Sequence, residues 1–95
     1  MAFVYLLRCA DDSLYCGWTV DVPKRLAAHT TGRGSRYTSS RLPVALAAVW
    51  EVPTQTDARK LEARVKQLTR REKLALAGGA PLDGATPVRF TSPTA

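Results

Sequence analysis

Five polar residues, spread over the first two thirds of this chain, offer groups that hydrolysis of a phosphate ester needs. Tyr5 and Tyr15 carry phenols that can hold a water molecule or relay a proton. Arg25 and His29 are four positions apart, so a helix would place them on one side, with a guanidinium that grips a phosphate beside an imidazole that accepts a proton. Taken singly, each of these four residues also suits packing or a solvated surface. The set therefore indicates catalysis only if folding brings its members together.

The fifth residue, Glu62, is a candidate ligand for a metal ion. It lies at the margin of a predicted apolar stripe, one turn after Ala58 and beside Val65, so its carboxylate should sit near the core. Such a carboxylate needs a partner, which can be an arginine, a helix terminus or a cation. One carboxylate with several waters is a common way of holding Mg²⁺. An ion pair with a neighbouring arginine accounts for Glu62 equally well.

Three short apolar runs predict the strands that position this set. Residues 3–8 and 14–19 are rich in aromatic and apolar side chains, and the polar residues between them suit a turn, which predicts a β-hairpin. Residues 44–52 form an apolar run that opens after Pro43 and closes before Pro53, which predicts a third strand.

Capping residues and apolar periodicity predict the helices. Asp21 can cap a first helix that ends near Gly32, followed by a flexible basic loop over residues 32–36. Thr54 can cap a second helix, whose apolar stripe is formed by Ala58, Leu61, Val65 and Leu68. Thr69 and Glu72 form a capping box for a third helix, which ends at Gly78 and Gly79.

The predicted fold class is α+β: a small three-stranded mixed or antiparallel sheet flanked by helices, in the order β-β-α-β-α-α. Residues 1–78 are predicted to be one domain and residues 79–95 a loosely structured tail, in which only Val88, Arg89 and Phe90 are apolar enough to pack. The cysteines, Cys9 and Cys16, are expected to be buried free thiols, although a cross-strand disulfide is conceivable. We expect no membrane span and a cytoplasmic location.

The positive charge is concentrated in two blocks. The net charge is +6, and residues 22–42 hold five basic residues and no acidic one, while residues 54–77 hold seven basic residues against three acidic ones. Such local fields favour a polyanion such as nucleic acid, although a solvated basic surface or an anionic membrane would fit the charge alone. The candidate nucleic-acid contacts are Lys24, Arg33, Arg36, Tyr37, Arg41, Lys66 and Arg70.

The spacing of the polar set resembles that of a known family. Phe3-Val4-Tyr5, Tyr15-Cys16-Gly17, Arg25, His29 and Glu62 follow one another as in the GIY-YIG nuclease superfamily. The resemblance covers residues 4–76 and is strongest to the small stand-alone bacterial type and to nuclease domains of structure-specific and excision-repair endonucleases. It implies a metal-dependent endonuclease that hydrolyses DNA, with a role in DNA repair.

The resemblance also implies a role for each residue. Tyr15 would hold or deprotonate the attacking water, with Tyr5 supporting it. Arg25 would neutralise charge on the phosphoryl oxygens, and Glu62 would bind Mg²⁺ or Mn²⁺ that stabilises the leaving 3′ oxygen. DNA is expected rather than RNA, with a protein partner as one way of choosing the substrate.

Three positions depart from the family pattern. Phe3 stands where the first motif has glycine, and Cys16 stands where the second has isoleucine. Trp18 stands where excision-repair relatives have a lysine, which can lower the pKa of the tyrosine. Because an indole cannot replace that charge, His29 becomes the candidate that supplies or receives the proton.

Three alternatives stay open from sequence alone. The first is a nucleic-acid-binding module with weak or no turnover, and the second is a nuclease subunit that needs a partner for substrate choice. A protein-interaction domain ranks last, because it leaves both the basic blocks and the Tyr/Arg/His/Glu set unexplained.

Overall fold

The computed structural model describes residues 1–88, which fold into one four-stranded sheet with four helices. The elements in chain order are β1 (Ala2–Arg8), β2 (Leu14–Thr19), α1 (Val22–Thr30), α2 (Arg36–Ser39), β3 (Ala45–Val52), α3 (Gln55–Lys66), α4 (Arg70–Ala77) and β4 (Thr86–Pro87). The strands lie in the order β2-β1-β3-β4, and each neighbouring pair is antiparallel.

The α+β class is confirmed, but the predicted number of strands and the predicted order of elements were wrong. The described order is β-β-α-α-β-α-α-β rather than β-β-α-β-α-α. The additional helix, α2, follows the expected basic loop and begins because the Ser35 side chain accepts a hydrogen bond from the Thr38 backbone N at 3.1 Å. The additional strand, β4, pairs with Trp50 and Glu51 on β3.

The predicted caps are present at the ends of the other helices. The side chain of Asp21 caps α1 and that of Thr54 caps α3. Thr69 and Glu72 form a reciprocal capping box at the start of α4. These bonds satisfy backbone N–H groups that a helix start otherwise leaves unpaired, which fixes where α1 and α3 begin beside the sheet.

The sheet buries side chains on both faces. One face carries Val4, Leu6 and Cys16, in a core cluster with the predicted apolar stripe of α3. The other face carries Tyr5 and Leu7, in a second cluster with part of α1. This alternation along β1 follows from the two-residue period of a strand, and it places Tyr5 on the face that α1 covers. Both cysteines are buried and free, as predicted.

The C-terminal segment is described only as far as Val88. It contributes β4, whereas Arg89 and Phe90 lie outside the described residues. The division between a domain and a loose tail after residue 78 stays a prediction. Among residues 1–88, no helix has the length and apolar character to cross a membrane. The cytoplasmic location likewise stays a prediction.

Candidate active site

A glycine lets Tyr5 cross the neighbouring strand. Tyr5 on β1 lies directly opposite Gly17 on β2. A Cβ atom at position 17 would lie 2.6 Å from Tyr5 Cζ, far inside normal contact distance. The phenol therefore occupies the space that any other residue at position 17 would fill. This close approach explains why the second motif has a glycine at this position in this chain.

His29 lies in the last turn of α1 and is fully buried. Its Nε2 is 2.8 Å from the Tyr5 hydroxyl, and its Nδ1 is 2.8 Å from the hydroxyl of Thr38 on α2. Gly34 packs against the ring so closely that a Cβ there would lie 2.5 Å from His29 Cγ. Both ring nitrogens thus have partners, and the imidazole is held from both sides.

Arg25 lies one turn before His29 on α1 and joins the same network. Its Nε donates to the Tyr5 hydroxyl at 3.4 Å, and its Nη2 donates to the backbone carbonyl of Gly34 at 2.7 Å. The side chain is partly exposed, so the remaining N–H groups of the guanidinium can meet a ligand. The predicted pair of Arg25 and His29 is therefore brought together with Tyr5.

Burial favours the uncharged forms of the Tyr5 phenol and the His29 imidazole. Burial lowers the pKa of His29, and the neighbouring Arg25 charge lowers this pKa further. Burial also raises the pKa of Tyr5, although the hydrogen bond from Arg25 acts in the opposite direction. A neutral phenol bonded to a neutral imidazole is an arrangement through which a proton can pass without a preformed phenolate.

Tyr15 lies beside this network through its ring. Its centroid is 5.3 Å from that of His29 and 5.7 Å from that of Tyr37, on which it stacks at an interplanar angle of 28°. The ammonium of Lys66 lies 5.9 Å from the Tyr15 centroid. Tyr15 thus connects the α1 side of the site to α3, where Glu62 lies.

Glu62 lies on α3, which packs on the face of the sheet opposite α1. Its charge is one of the smaller causes that raise the pKa of Tyr5, after burial and Tyr15. It also contributes to the pKa of Cys16, which burial chiefly raises to about 12. The Glu62 side chain is 21% exposed, and its Oε1 is 3.4 Å from the Lys66 ammonium. Glu62 is therefore paired with a lysine one turn later and not with the neighbouring arginine that the sequence suggested as an alternative to a metal ion.

The donor set suits a hydrated hard cation rather than a closed protein cage. Within residues 1–88, no three His, Cys, Asp or Glu side chains form a group that could hold a metal ion. A single, partly exposed carboxylate fits Mg²⁺ or Mn²⁺ that keeps most of its waters and takes phosphate oxygens from a substrate. A cation there would have to replace Lys66 as the partner of Glu62.

Three of the predicted basic nucleic-acid contacts are engaged within the protein. Arg41 forms an ion pair with Asp11 at 3.0 Å, and its guanidinium covers the Tyr37 ring at 3.8 Å. Arg70 donates to the backbone carbonyl of Asp12 at 2.6 Å, and Lys66 is paired with Glu62. The two arginines therefore hold the β1–β2 turn, Arg41 from just beyond α2 and Arg70 from α4.

The remaining basic candidates lie on or near the two helices that flank the site. Lys24 is in the first turn of α1, Arg33 follows α1, and Arg36 begins α2. All three are exposed. In the described part of the chain the ion pairs are those of Arg41 and of Lys66, so the charges of these three residues stay free for phosphates.

Several residues of the site were missed by sequence reasoning. Thr38 is fully buried, and Ser35 bonds to it, with 3.0 Å between the two hydroxyl oxygens. The serine three positions before Thr38 is a weak N-cap signal, but nothing in the basic stretch indicates that Thr38 is buried against an imidazole. Nothing in the sequence around Gly34 indicates that it lies against the His29 ring. Trp18, which replaces the lysine of some relatives, packs against the core cluster on the other face of the sheet.

The two larger cavities among the described residues are not lined by Tyr5 or His29. One, of about 530 Å³, lies between β3, α4 and β4. The other, of about 280 Å³, lies beside Lys60 and Arg64 on α3. Tyr5 and His29 are themselves buried, so the groups of the site that a polymeric anion could meet first are the exposed basic residues beside them.

Comparison with known protein families assigns the chain to one of them. A family model described as the GIY-YIG catalytic domain matches residues 1–75. The chain therefore belongs to the GIY-YIG family, a family of nuclease domains.

Within this family the chain is similar to small stand-alone proteins named UPF0213. It is 40% identical to the UPF0213 protein BH0048 of Halalkalibacterium halodurans over 91 residues, which cover 94% of this chain and 97% of that protein. It is 47% identical to the UPF0213 protein YsiG of Lactococcus lactis over 75 residues, which cover 78% of this chain and 72% of that protein.

A solved structure agrees with the fold. The solution NMR structure of the BH0048 protein from Bacillus halodurans matches with a TM-score of 0.53 at 41% identity, over 88% of this chain and 87% of that chain. The names of these relatives state no activity.

Proposed function

We propose that this chain is an endonuclease that depends on a divalent metal ion and hydrolyses phosphodiester bonds in DNA. The observation that carries the proposal is the buried network in which the Tyr5 hydroxyl meets His29 Nε2 at 2.8 Å and Arg25 Nε at 3.4 Å. The network supports a site that can move a proton and bind a phosphate at the same point. Glu62 adds the carboxylate that a metal ion needs.

The proton of the attacking water passes through Tyr5. The Tyr15 hydroxyl holds the water, and the Tyr5 oxygen takes a proton from it as the Tyr5 proton moves to His29 Nε2. Because burial raises the pKa of Tyr5 and lowers that of His29, the phenol and the imidazole start neutral, and the transfer accompanies attack on phosphorus. This assigns to Tyr5 and His29 together a task that the resemblance gives mainly to Tyr15.

Arg25 stabilises the charge that develops on the phosphoryl oxygens. Its bonds to Tyr5 and to the Gly34 carbonyl hold the guanidinium in place before the substrate arrives. A charge oriented in advance stabilises the transition state without reorganising during the reaction. Arg25 thus also keeps the phosphate close to the proton-accepting phenol.

Glu62 would hold Mg²⁺ or Mn²⁺, which would supply positive charge for the leaving 3′ oxygen. Lys66 neutralises Glu62 while no metal ion is bound. Lys24, Arg33 and Arg36 contact the DNA backbone and give binding that weakens with salt and depends little on base sequence.

A second candidate is a nucleic-acid-binding module with weak turnover, alone or as a subunit that needs a partner for substrate choice. The ion pair between Lys66 and Glu62 favours this candidate, because Lys66 competes with a metal ion for the carboxylate. The two candidates differ in what Glu62 does. In a binding module, neutralising Glu62 would leave every measured property except local stability unchanged.

A cleavage assay on a panel of substrates tests the proposal. The purified chain is incubated with end-labelled single-stranded, duplex, flapped and four-way DNA and with single-stranded RNA, in Mg²⁺, Mn²⁺ or EDTA. We expect cleavage of at least one DNA that stops in EDTA and in Glu62→Gln, whereas Glu51→Gln, a partly buried glutamate on β3, cleaves normally. Binding without cleavage on every substrate would favour the second candidate, and cleavage of RNA alone would overturn the DNA assignment.

A further inference from the structure

We propose that Thr38 is a positioning residue that keeps the proton of the His29 imidazole on Nδ1, so that Nε2 is free to take the Tyr5 proton. This inference rests on the nuclease function proposed above for its catalytic part. Its structural part, the position of one proton, can be measured without any substrate. The groups that carry it lie on β1, α1 and α2.

The direction of the hydrogen bonds follows from the donors. Arg25 Nε is a donor, so the Tyr5 oxygen accepts that bond. Tyr5 is 3% exposed, and a buried hydroxyl proton needs an acceptor. Among the described residues, the acceptor within reach of the Tyr5 hydroxyl is His29 Nε2 at 2.8 Å. Tyr5 therefore donates to Nε2, and the imidazole carries its proton on Nδ1.

Thr38 completes the chain on the far side of the ring. His29 Nδ1 donates to Thr38 Oγ1 at 2.8 Å. The Thr38 hydroxyl can then donate to Ser35, whose Oγ lies at 3.0 Å and whose carbonyl oxygen lies at 3.4 Å. Ser35 caps α2 through the Thr38 backbone N, so the helix itself fixes the hydroxyl that faces the imidazole. Each donor in this chain therefore has an acceptor within reach.

A hydroxyl at this position has a different effect from a carboxylate. In hydrolases that pair a histidine with an aspartate, the aspartate fixes the tautomer and also stabilises the imidazolium. Thr38 fixes the tautomer but adds no negative charge. The groups that contact or flank the imidazole are Tyr5 on β1, Tyr15 on β2, Arg25 on α1, Gly34 after α1 and Thr38 on α2, of which Arg25 alone is charged. His29 therefore stays neutral until Tyr5 gives up its proton.

The chain contains one histidine, so nitrogen NMR of the imidazole reports on His29 alone. We expect the wild-type protein at neutral pH to show a protonated Nδ1 and an unprotonated Nε2. In Thr38→Val, which keeps the side-chain shape and removes the acceptor, the Nε2-protonated form should become substantially populated. Thr38→Ser should restore the wild-type spectrum, and Thr30→Val, an exposed threonine at the end of α1, should leave it unchanged.

The same variants separate positioning from binding in the cleavage assay. We expect Thr38→Val to lower kcat roughly ten- to a hundred-fold, less than loss of a general base itself, with KM nearly unchanged, and Thr38→Ser to recover most of the rate. A wild-type spectrum with the proton on Nε2 would overturn the inference, even if Thr38→Val failed to fold. An unchanged tautomer or unchanged kcat in folded Thr38→Val would overturn it as well.

The outcomes distinguish this inference from the proposed function. Metal-dependent cleavage by a wild-type protein whose proton lies on Nε2 would preserve the nuclease and overturn the role of Thr38. The expected tautomer in a protein that cleaves no substrate would overturn the catalytic part of the inference together with the proposed function.

Discussion

Close approach between single residues sets the geometry of the site. Gly17 leaves room for the Tyr5 phenol, and Gly34 leaves room for the His29 ring. The family pattern contains the first of these glycines, so the sequence predicted its place in the motif. Gly34, Ser35 and Thr38 could not be predicted, because what makes them important is their distance from His29, and no local pattern encodes that distance.

Gly17→Ala should greatly lower activity while the protein stays folded. The new methyl group must displace the Tyr5 phenol, because it would otherwise lie 2.6 Å from Cζ, and the displaced hydroxyl would leave His29 Nε2. Crowding of this kind costs about 1–3 kcal/mol. We expect a folded protein with a large loss of kcat, measured by urea unfolding and single-turnover cleavage. Gly78→Ala, whose Cβ would meet nothing closer than 3.5 Å, is the control. A wild-type kcat in Gly17→Ala would contradict the role given to this contact.

His29 should make the protein less stable as the pH falls from 7 to 5. Burial and the Arg25 charge lower its pKa in the folded state below the ordinary value of 6.5, so the unfolded chain binds the proton more readily. Stability is therefore complete above pH 6.5 and is lost as the pH falls through and below that value. The measurement is the urea midpoint at each pH.

The control for this pH dependence is His29→Gln, which removes the sole histidine. Its urea midpoint should change much less between pH 7 and pH 5. The carboxyls of Asp11 and Glu72 have lowered pKa values because they accept hydrogen bonds from Ser13 and from Thr69. They are present in both proteins, so they cancel in the comparison. Equal pH dependence in the two proteins would show that His29 is not the group responsible.

The longer elements were predictable, and the short ones were not. Each longer element spans six or more residues, which is enough to show an apolar period or a helix cap in the sequence. These elements are β1, β2, β3, α1, α3 and α4. The four residues of α2 and the two of β4 are too few to show a period. Their positions depend on contacts with other parts of the chain, namely His29 and the Tyr15 ring for α2 and the edge of β3 for β4.

The two ends of α2 should affect DNA binding differently. Arg36 is exposed, whereas Arg41, just beyond the helix, bonds to Asp11 and to the Tyr37 carbonyl. We expect Arg36→Gln to reduce the salt slope of DNA binding by about 1, as the loss of one phosphate contact does. Arg41→Gln should leave the slope unchanged and destabilise the protein by about 1 kcal/mol.

Binding isotherms over a series of salt concentrations, with urea unfolding of each variant, make this comparison. Because Arg36 and Arg41 belong to one short segment, each serves as the control for the other. If Arg41→Gln lowered the salt slope as Arg36→Gln does, Arg41 would be a phosphate contact after all. The earlier prediction of a nucleic-acid contact at Arg41 would then stand.

At the scale of the whole molecule, the site lies where two helices meet one edge of the sheet. Arg25 and His29 come from α1 on one face, and Glu62 comes from α3, which packs on the other face. Tyr5 crosses Gly17 on the edge strand β2 and so connects the two sides. The order of these residues in the sequence was enough to predict the family, whereas the bridging role of Tyr5 required the register of β1 and β2.

The ion pairs show which basic residues remain available to bind DNA. Lys24, Arg33 and Arg36 form no ion pair with the described residues, whereas Arg41 is paired with Asp11 and Glu62 on α3 is paired with Lys66. A DNA backbone that contacts Lys24 and Arg36 would thus pass over Arg25 towards Glu62. In the proposed mechanism, the binding charges of α1 and the proposed metal ligand on α3 would approach the reacting phosphate from opposite faces of the sheet.

The single-turnover cleavage rate of Tyr5→Phe in Mg²⁺ shows how far the reaction depends on the Tyr5 hydroxyl. This change removes one hydroxyl from the network and keeps the ring across Gly17. Tyr37→Phe removes a hydroxyl from the partly exposed neighbouring tyrosine and is the control. We expect Tyr5→Phe to bind DNA as the wild type does and to cleave it at least about a hundred-fold more slowly, with Tyr37→Phe close to wild type. A folded Tyr5→Phe that cleaves at the wild-type rate would show that the Tyr5 hydroxyl does not carry the proton of the attacking water.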